Sequence, residues 1–316
     1  MWLNIAFIII GIVLVLWGAD RLTDGAVAIA ERMKIPQIVI GLTIVAVGTS
    51  APELCVSLVS ALKGTADLAV GNVVGSNIFN SMLIVGVAAM VAPMTILPST
   101  VRKDIPFSLV ASISLATMVL MDGDISRLDA IILFAAFILF MYITVKGAKG
   151  SHAEEPAEPK NYTPLKASLL ILLGLACLIV GSNVFVTGAT EVATALGVSD
   201  AVIGLTIVAG GTSLPELATS VVSARKGQSG IAIGNVLGSN VFNILMILGL
   251  TGIICPMQVH DITIIDLSVL VGSMVLLWLF SYTKYTVARW EGAVLTCLFI
   301  AYISWLVLQS TTQLIR

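Results

Sequence analysis

The sequence predicts an all-α polytopic membrane protein with ten transmembrane helices, arranged as two inverted five-helix repeats in which helices 2 and 7 are broken. Three observations carry this prediction. The 316 residues are 58 % hydrophobic and only 11 % charged, with a mean hydropathy of +1.06, whereas soluble domains carry about 25 % charged residues. One long segment occurs twice at a constant spacing, and one polar stretch separates two groups of five apolar spans.

Apolar stretches of about 20 residues are long enough to cross a bilayer as helices. The first of them has no basic segment before it, so we expect it to stay in the mature protein and not to be removed as a signal peptide. The ten candidate spans are residues 3–20, 37–62, 68–92, 105–121, 128–146, 165–190, 198–224, 230–254, 262–282 and 288–311.

The polar stretch Gly147–Lys166 is rich in Pro, Glu and Lys, a composition typical of a flexible linker. It predicts a first repeat at 1–146, a cytoplasmic linker at 147–164 and a second repeat at 165–316. Because five is an odd number, the second repeat enters the membrane with the opposite orientation, as in many secondary transporters. Twelve of the sixteen Lys and Arg residues fall in loops on one side and three on the other. This bias places both termini on the outer side of the cell membrane.

The duplicated segment covers residues 41–80 and 204–243, with no gap and 27 of 40 positions identical. Each copy places one glutamate, Glu53 or Glu216, inside an apolar span. A carboxylate at membrane depth is costly and marks a functional site by default. Since the copies are antiparallel in the predicted topology, the two glutamates can meet in one site.

Both glutamates follow the motif Gly-Thr-Ser-x-Pro, which places glycine and proline four residues apart within a span. Proline is well tolerated in the first turn of a helix but not in its interior. We therefore predict a helix break at Gly-Thr-Ser and a new helix that starts near the proline. A break frees carbonyl oxygens, and Thr and Ser add hydroxyls. Such oxygen sets bind hard cations, including Ca²⁺.

A second motif, Gly-Asn-x-x-Gly-Ser-Asn-x-Phe-Asn, ends each copy of the duplicated segment. Asn72, Ser76 and Asn80 are spaced by four residues and share one helical face, which offers hydroxyl and amide oxygens. Polar residues of this kind also join membrane helices by hydrogen bonds without any role in binding. That alternative stays open for each of them.

The two motifs, present twice in inverted halves, resemble the α-repeats of the sodium/calcium exchangers, in the prokaryotic-type branch of the cation/calcium antiporter superfamily. The resemblance covers essentially the whole chain. It implies a secondary active antiporter that exchanges three Na⁺ for one Ca²⁺ by alternating access, in which spans one and six slide as a pair against the other eight.

The resemblance also implies roles for individual residues. Glu53 and Glu216 become the central ligands for which Na⁺ and Ca²⁺ compete, while Thr49 and Thr212 give backbone oxygens to Ca²⁺. The remaining implied metal ligands are Ser50, Ser213, Ser76 and Ser239 at flanking Na⁺ sites, Ala46 and Ala209 as carbonyl donors to Na⁺, and Asn80 and Asn243 in the central group.

Some family members, typically the potassium-dependent ones, carry Asp where this chain has Asn243, so we expect no K⁺ co-transport. A Ca²⁺/H⁺ antiporter that uses the same glutamates is the alternative, although the proton-coupled branch usually has an acidic residue after Gly-Asn and this chain has Val73 and Val236 there. A passive cation channel is a third hypothesis. An enzyme is a poor fit because no His, Cys or Asp constellation accompanies the glutamates.

The expected partners are therefore the lipid bilayer and the transported Na⁺ and Ca²⁺, with no cofactor and no nucleic acid. A multi-pass protein of the cell (inner) membrane is expected, and a monomeric state is compatible with the sequence.

Overall fold

A computed structural model describes residues 1–148, 162–197, 207 and 209–314. Nearly all of these residues are helical. The helices are α1 (Trp2–Met33), α2 (Gln37–Thr49), α3 (Ala51–Leu62), α4 (Ala66–Val91), α5 (Thr100–Asp122), α6 (Arg127–Ala148), α7 (Pro164–Ala195), α8 (Ala209–Thr212), α9 (Leu214–Arg225), α10 (Ser229–Ile254), α11 (Ile264–Tyr282) and α12 (Arg289–Leu314).

Within the described ranges, eight of these helices are long and apolar enough to cross a membrane, and the bent pair α2–α3 brings the number up to nine. Part of the predicted seventh span lies outside the described residues, namely 198–206 and 208, and its described end consists of α8 and α9. Residues 149–161 of the predicted linker also lie outside them. The all-helical membrane architecture is confirmed, whereas the ten-helix arrangement stays a prediction.

Helix α1 extends well past the predicted end of the first span at residue 20 and continues to Met33. Asp20, at the predicted end of the span, and Asp24, beyond it, both lie inside the helix. Lys226, just after α9, binds them at 2.5 Å and 2.8 Å. The neighbouring ammonium offsets the charge of the two carboxylates, which are partly or fully buried in the helix.

Helices α1 and α7 pack against each other through glycines spaced by seven residues. Gly11, Gly18 and Gly25 of α1 lie against the backbone of α7 near residues 181, 174 and 167, so the helices run antiparallel. A Cβ atom on Gly18 would lie 2.8 Å from the carbonyl oxygen of Gly174. Because glycine has no side chain, the two helices can approach each other this closely, as is common between membrane helices.

Two short antiparallel ribbons join the parts of the chain before and after residue 150. Strand β1 (Met94–Thr95) pairs with β4 (Thr286–Val287), and β2 (Asp124–Ile125) pairs with β3 (Met257–Gln258). Strand β3 lies 163 residues after β1, and β4 lies 162 residues after β2. Each ribbon thus takes one strand from each half, which ties the two halves together.

The centre of the molecule is formed by α4 and α10, whose residues are mostly buried. Helices α1, α6 and α12 instead expose large apolar side chains, as expected of helices that face lipid. The polar motifs of the duplicated segment therefore lie at the centre, shielded from lipid.

Candidate functional site

The predicted helix breaks are confirmed at both copies of the motif. Helix α2 ends at Thr49 and α3 begins at Ala51, and the two axes are bent by 48° at Ser50. In the second copy α8 ends at Thr212 and α9 begins at Leu214, with Ser213 between them. Both serines have nearly the same backbone conformation, at φ −84° and ψ 10° and at φ −92° and ψ 8°. Proline follows in the first turn of the new helix, where it costs no hydrogen bond.

The two glutamates lie in the first turns of α3 and α9, and each is only 1 % exposed. Ser213 donates its hydroxyl to Glu53 Oε1 at 3.1 Å, and Ser50 donates its hydroxyl to Glu216 Oε1 at 2.9 Å. Each bond runs from one copy of the motif to the other. The structure therefore brings the two glutamates into one site, in which each half orients the other half's carboxylate.

Several oxygens of this site are buried without a hydrogen bond from any described residue. They are Oε2 of Glu53, Oε2 of Glu216, Oδ1 of Asn80, Oδ1 of Asn243 and the hydroxyl of Ser239. A buried acceptor without a partner costs about 1–3 kcal/mol, and a charged one costs more. Oxygen atoms of carboxylates and amides are the ligands that Ca²⁺ takes in proteins. The open positions fit a desolvated cation.

Thr49 ends α2 and Thr212 ends α8, which are the first helices of the two broken pairs. Thr49 is fully buried. Its hydroxyl lies 3.0 Å from Asn235 Oδ1, 3.1 Å from the carbonyl of Val45 and 3.3 Å from that of Ala46. The Ala46 carbonyl also accepts the amide N–H of Ser50 at 3.0 Å. The Thr49 hydroxyl has one proton and can form only one strong hydrogen bond with it. The carbonyl oxygen of Ala46 therefore keeps a lone pair that a cation could use.

Three more predicted ligands are Ser76 and Ser239, which are buried, and Ala209, which lies at the edge of the described residues. Ser76 is buried, and its hydroxyl lies 3.3 Å from that of Ser213. Ser239 is also fully buried. Ala209 is the first residue of α8, next to residue 208, which the structure does not describe.

Asn72 and its counterpart Asn235 take the role that the sequence left open as the alternative, because they join helices by hydrogen bonds. Their side-chain amides donate to the backbone carbonyls of Glu53 and Glu216, at 3.3 Å and 3.2 Å. Each also donates to a serine hydroxyl, of Ser57 or Ser220, at 3.0 Å. These matched bonds fix α3 to α4 and α9 to α10, and they hold the backbone of each glutamate in place.

Asn80 and Asn243 lie in π-helical turns, Phe79–Ile84 in α4 and Phe242–Leu248 in α10. Turns of this kind are rare in proteins as a whole, but many of those that occur lie at functional sites. They insert extra residues into the helix, so a simple spacing of four does not give the direction of Asn80. No residue pattern in the sequence announced these turns.

A cavity of about 340 Å³ adjoins the site between α4, α11 and α12. Asn72, Ser76, Asp266 and Tyr302 contribute the polar side chains of its wall. Tyr302 donates its hydroxyl to Asp266 at 2.6 Å. The cavity gives a space of several water molecules next to otherwise buried polar residues.

Comparison with known proteins gives a consistent result over most of the chain. A family model described as sodium/calcium exchanger protein matches residues 3–146 and 166–308. The sodium/calcium exchanger MaX1 of Methanosarcina acetivorans is 31 % identical, over 95 % of this chain and 97 % of MaX1. Inner membrane protein YrbG of Escherichia coli is 40 % identical, over 83 % of each chain.

The same similarity holds in three dimensions. A solved structure of the sodium-calcium exchanger NCX_Mj, soaked with Na⁺ and Ca²⁺, superimposes with a TM-score of 0.84 at 31 % identity. The match covers 96 % of this chain and 98 % of NCX_Mj. Fold and sequence therefore agree over nearly the full length of both proteins.

Proposed function

The chain belongs to the sodium/calcium exchanger family, whose members are membrane transporters and not enzymes, and we propose that it exchanges Na⁺ for Ca²⁺ across the cell membrane by alternating access. The observation that carries the proposal is the pair of buried glutamates, each held by a serine of the opposite half and each with a free carboxylate oxygen.

A site with two carboxylates explains why transport is coupled. Two buried negative charges without a cation are very costly in a low-dielectric surrounding, so the empty site does not cross the membrane readily. One Ca²⁺ or several Na⁺ would neutralise the pair. Since both ions need the same carboxylates, we propose that they compete and that each crossing carries one kind of ion. The stoichiometry we propose is three Na⁺ for one Ca²⁺, without K⁺.

The proposal assigns the ligands as the family resemblance implies. Glu53 and Glu216 bind both ions, and Thr49 and Thr212 offer carbonyls to Ca²⁺. The burial of these glutamates and the free amide oxygens at Asn80 and Asn243 support a central cation site. The flanking Na⁺ ligands would be Ser50, Ser213, Ser76, Ser239 and the carbonyls of Ala46 and Ala209.

We further propose ten helices in two inverted repeats at 1–146 and 165–316, joined by a cytoplasmic linker at 147–164, with both termini outside the inner membrane. The reciprocal serine–glutamate bonds and the ribbons between the halves support this arrangement. Helices α1 and α7 would move as one unit, which their close glycine contacts favour.

Uptake into membrane vesicles tests this function. Vesicles that contain the protein and are loaded with Na⁺ should accumulate Ca²⁺ when diluted into Na⁺-free buffer, and Glu53→Gln or Glu216→Gln should abolish this uptake. Glu191→Gln is the matched control because Glu191 is exposed on α7, and it should leave uptake unchanged. Ca²⁺ uptake that ignores the Na⁺ gradient would overturn the proposal.

A Ca²⁺/H⁺ antiporter is the second candidate, because the buried carboxylates could also take up protons. The same vesicles distinguish the two. A pH gradient without Na⁺ should drive little uptake if Na⁺ is the coupling ion, and it should drive full uptake if protons are.

A further inference from the structure

Behind the site lies a second pair of asparagines, Asn77 and Asn240, which we name the positioning pair. Asn243 donates its side-chain amide to Asn77 Oδ1 at 3.0 Å, and Asn80 donates its amide to Asn240 Oδ1 at 3.0 Å. Asn77 and Asn240 are fully buried. Both bonds cross from one half of the chain to the other, so the pattern is reciprocal.

The orientation of the positioning pair is itself fixed by hydrogen bonds. Asn77 donates its amide to the backbone carbonyl of Asn240 at 3.1 Å. Asn240 donates its amide to the hydroxyl of Ser81 at 2.8 Å, with the sulfur of Met274 at 3.4 Å. Carbonyl and thioether groups only accept, so the NH₂ end of each amide must point at them. The oxygen of each positioning residue is therefore the end that faces the site asparagine.

This orientation of the positioning pair determines how the side-chain amides of Asn80 and Asn243 are oriented. Because an oxygen acceptor faces them, Asn80 and Asn243 turn their NH₂ groups toward it and leave Oδ1 free, and Oδ1 accepts no hydrogen bond from the described residues. A flipped amide would set two oxygens against each other and would present an NH₂ group, which carries a partial positive charge, to a cation.

We propose that Asn77 and Asn240 are positioning residues of the exchanger, which hold the amides of Asn80 and Asn243 with their oxygens available to the transported cation. The inference rests on the proposed exchange function. It extends the ion site by a layer of residues that contact the ligands and not the ion.

The halves support the positioning pair unequally. Ser81 holds Asn240, whereas the residue at the corresponding place in the second half is Ile244, which has no polar group. Ser81→Ala therefore removes one support of Asn240, and through it of Asn80, without altering any proposed ligand. This small substitution makes a test possible even if larger changes in the pair prevent folding.

The test measures Na⁺-driven Ca²⁺ uptake as a function of Ca²⁺ concentration in vesicles of wild type, Asn77→Leu, Asn240→Leu and Ser81→Ala. Loss of the oriented amide should raise KM for Ca²⁺ by about tenfold in the leucine variants, and by a few-fold in Ser81→Ala, with the maximal rate per folded molecule changed much less. Ser112→Ala is the matched control, since Ser112 is fully buried and its hydroxyl bonds to Ser108 within the same helix.

A structural role alone would lower the amount of folded protein and its unfolding temperature, and it would leave KM unchanged. If wild type exchanges ions and the KM values of Ser81→Ala and the leucine variants equal that of Ser112→Ala, the positioning role is wrong. If wild type shows no Na⁺-driven uptake, the proposed function itself fails, and the two failures are thereby distinguished.

Discussion

At the scale of single residues, each half of the chain orients site residues of the other half by hydrogen bonds. Neither glutamate is oriented by the serine of its own motif. Ser213 holds Glu53, and Ser50 holds Glu216. The amides behind the site follow the same rule, since Asn80 bonds Asn240 and Asn243 bonds Asn77. Geometry of this kind makes the site a property of the assembled molecule.

The first prediction concerns these serines. A hydrogen bond to a charged group contributes about 1.5–3 kcal/mol, so Ser50→Ala and Ser213→Ala should each weaken Ca²⁺ affinity by roughly tenfold or more. Equilibrium Ca²⁺ binding to purified protein measures the effect. The two variants should behave alike because the bonds are reciprocal, and unchanged affinity in both would contradict the role assigned to the hydroxyls.

The sequence indicated which side chains to propose as ligands but not all of their hydrogen-bond partners. A glutamate in an apolar span indicates a site by itself, and its duplication strengthens that reading. The choice between binding an ion and joining helices could not be made for Asn72 and Asn235, because an amide offers both an acceptor and donors and only the folded neighbours decide which end is used.

At the scale of helices, local rules explain the broken spans well and the unbroken ones less well. Glycine and proline four residues apart predicted the breaks at Ser50 and Ser213, since proline acts through its own ring and missing donor. The π-helical turns at Asn80 and Asn243 have no local pattern in the sequence that would predict them. The continuation of α1 to Met33 could not be predicted locally either, and its Asp24 pairs with Lys226, which is about 200 residues away in the chain.

The second prediction concerns the contact between α1 and α7. In Gly18→Ala a Cβ atom would lie 2.8 Å from the backbone oxygen of Gly174, and such overpacking costs about 1–3 kcal/mol. The variant should unfold at a lower temperature than wild type in detergent, and its Na⁺-driven Ca²⁺ uptake should fall.

Gly272→Ala serves as the control for this substitution. Gly272 also lies inside a membrane helix, but a Cβ atom there would meet no other described atom within 4 Å. It should leave the unfolding temperature equal or slightly higher, because alanine favours helix more than glycine does. Equal losses in both variants would show that the close helix contact is not the cause.

At the scale of the whole molecule, the repeat predicted that two halves meet around one site, and the described residues meet in this way. Ribbons β1–β4 and β2–β3 each join the halves, and the buried helices α4 and α10 bring the matching motifs face to face. The ten-helix topology and the orientation of the termini stay predictions, since part of the seventh span lies outside the described residues.

The two halves are not identical. Lys226 binds Asp20 and Asp24 of α1, whereas the corresponding residues of the other half are Lys63, which is exposed, with Asn183 and Thr187. The α1–α7 unit thus has an ion pair at one end, and the matching residues at its other end form none. This difference distinguishes the two ends of a molecule whose central site is nearly symmetric.

The central claim is that Na⁺ and Ca²⁺ compete for one pair of carboxylates, and equilibrium binding of radioactive Ca²⁺ to the purified protein tests it most directly. Rising Na⁺ should displace all bound Ca²⁺ from wild type, while choline at the same ionic strength should not, and Glu53→Gln with Glu216→Gln should bind no Ca²⁺ at all. Ca²⁺ that stays bound at saturating Na⁺ would contradict a shared site.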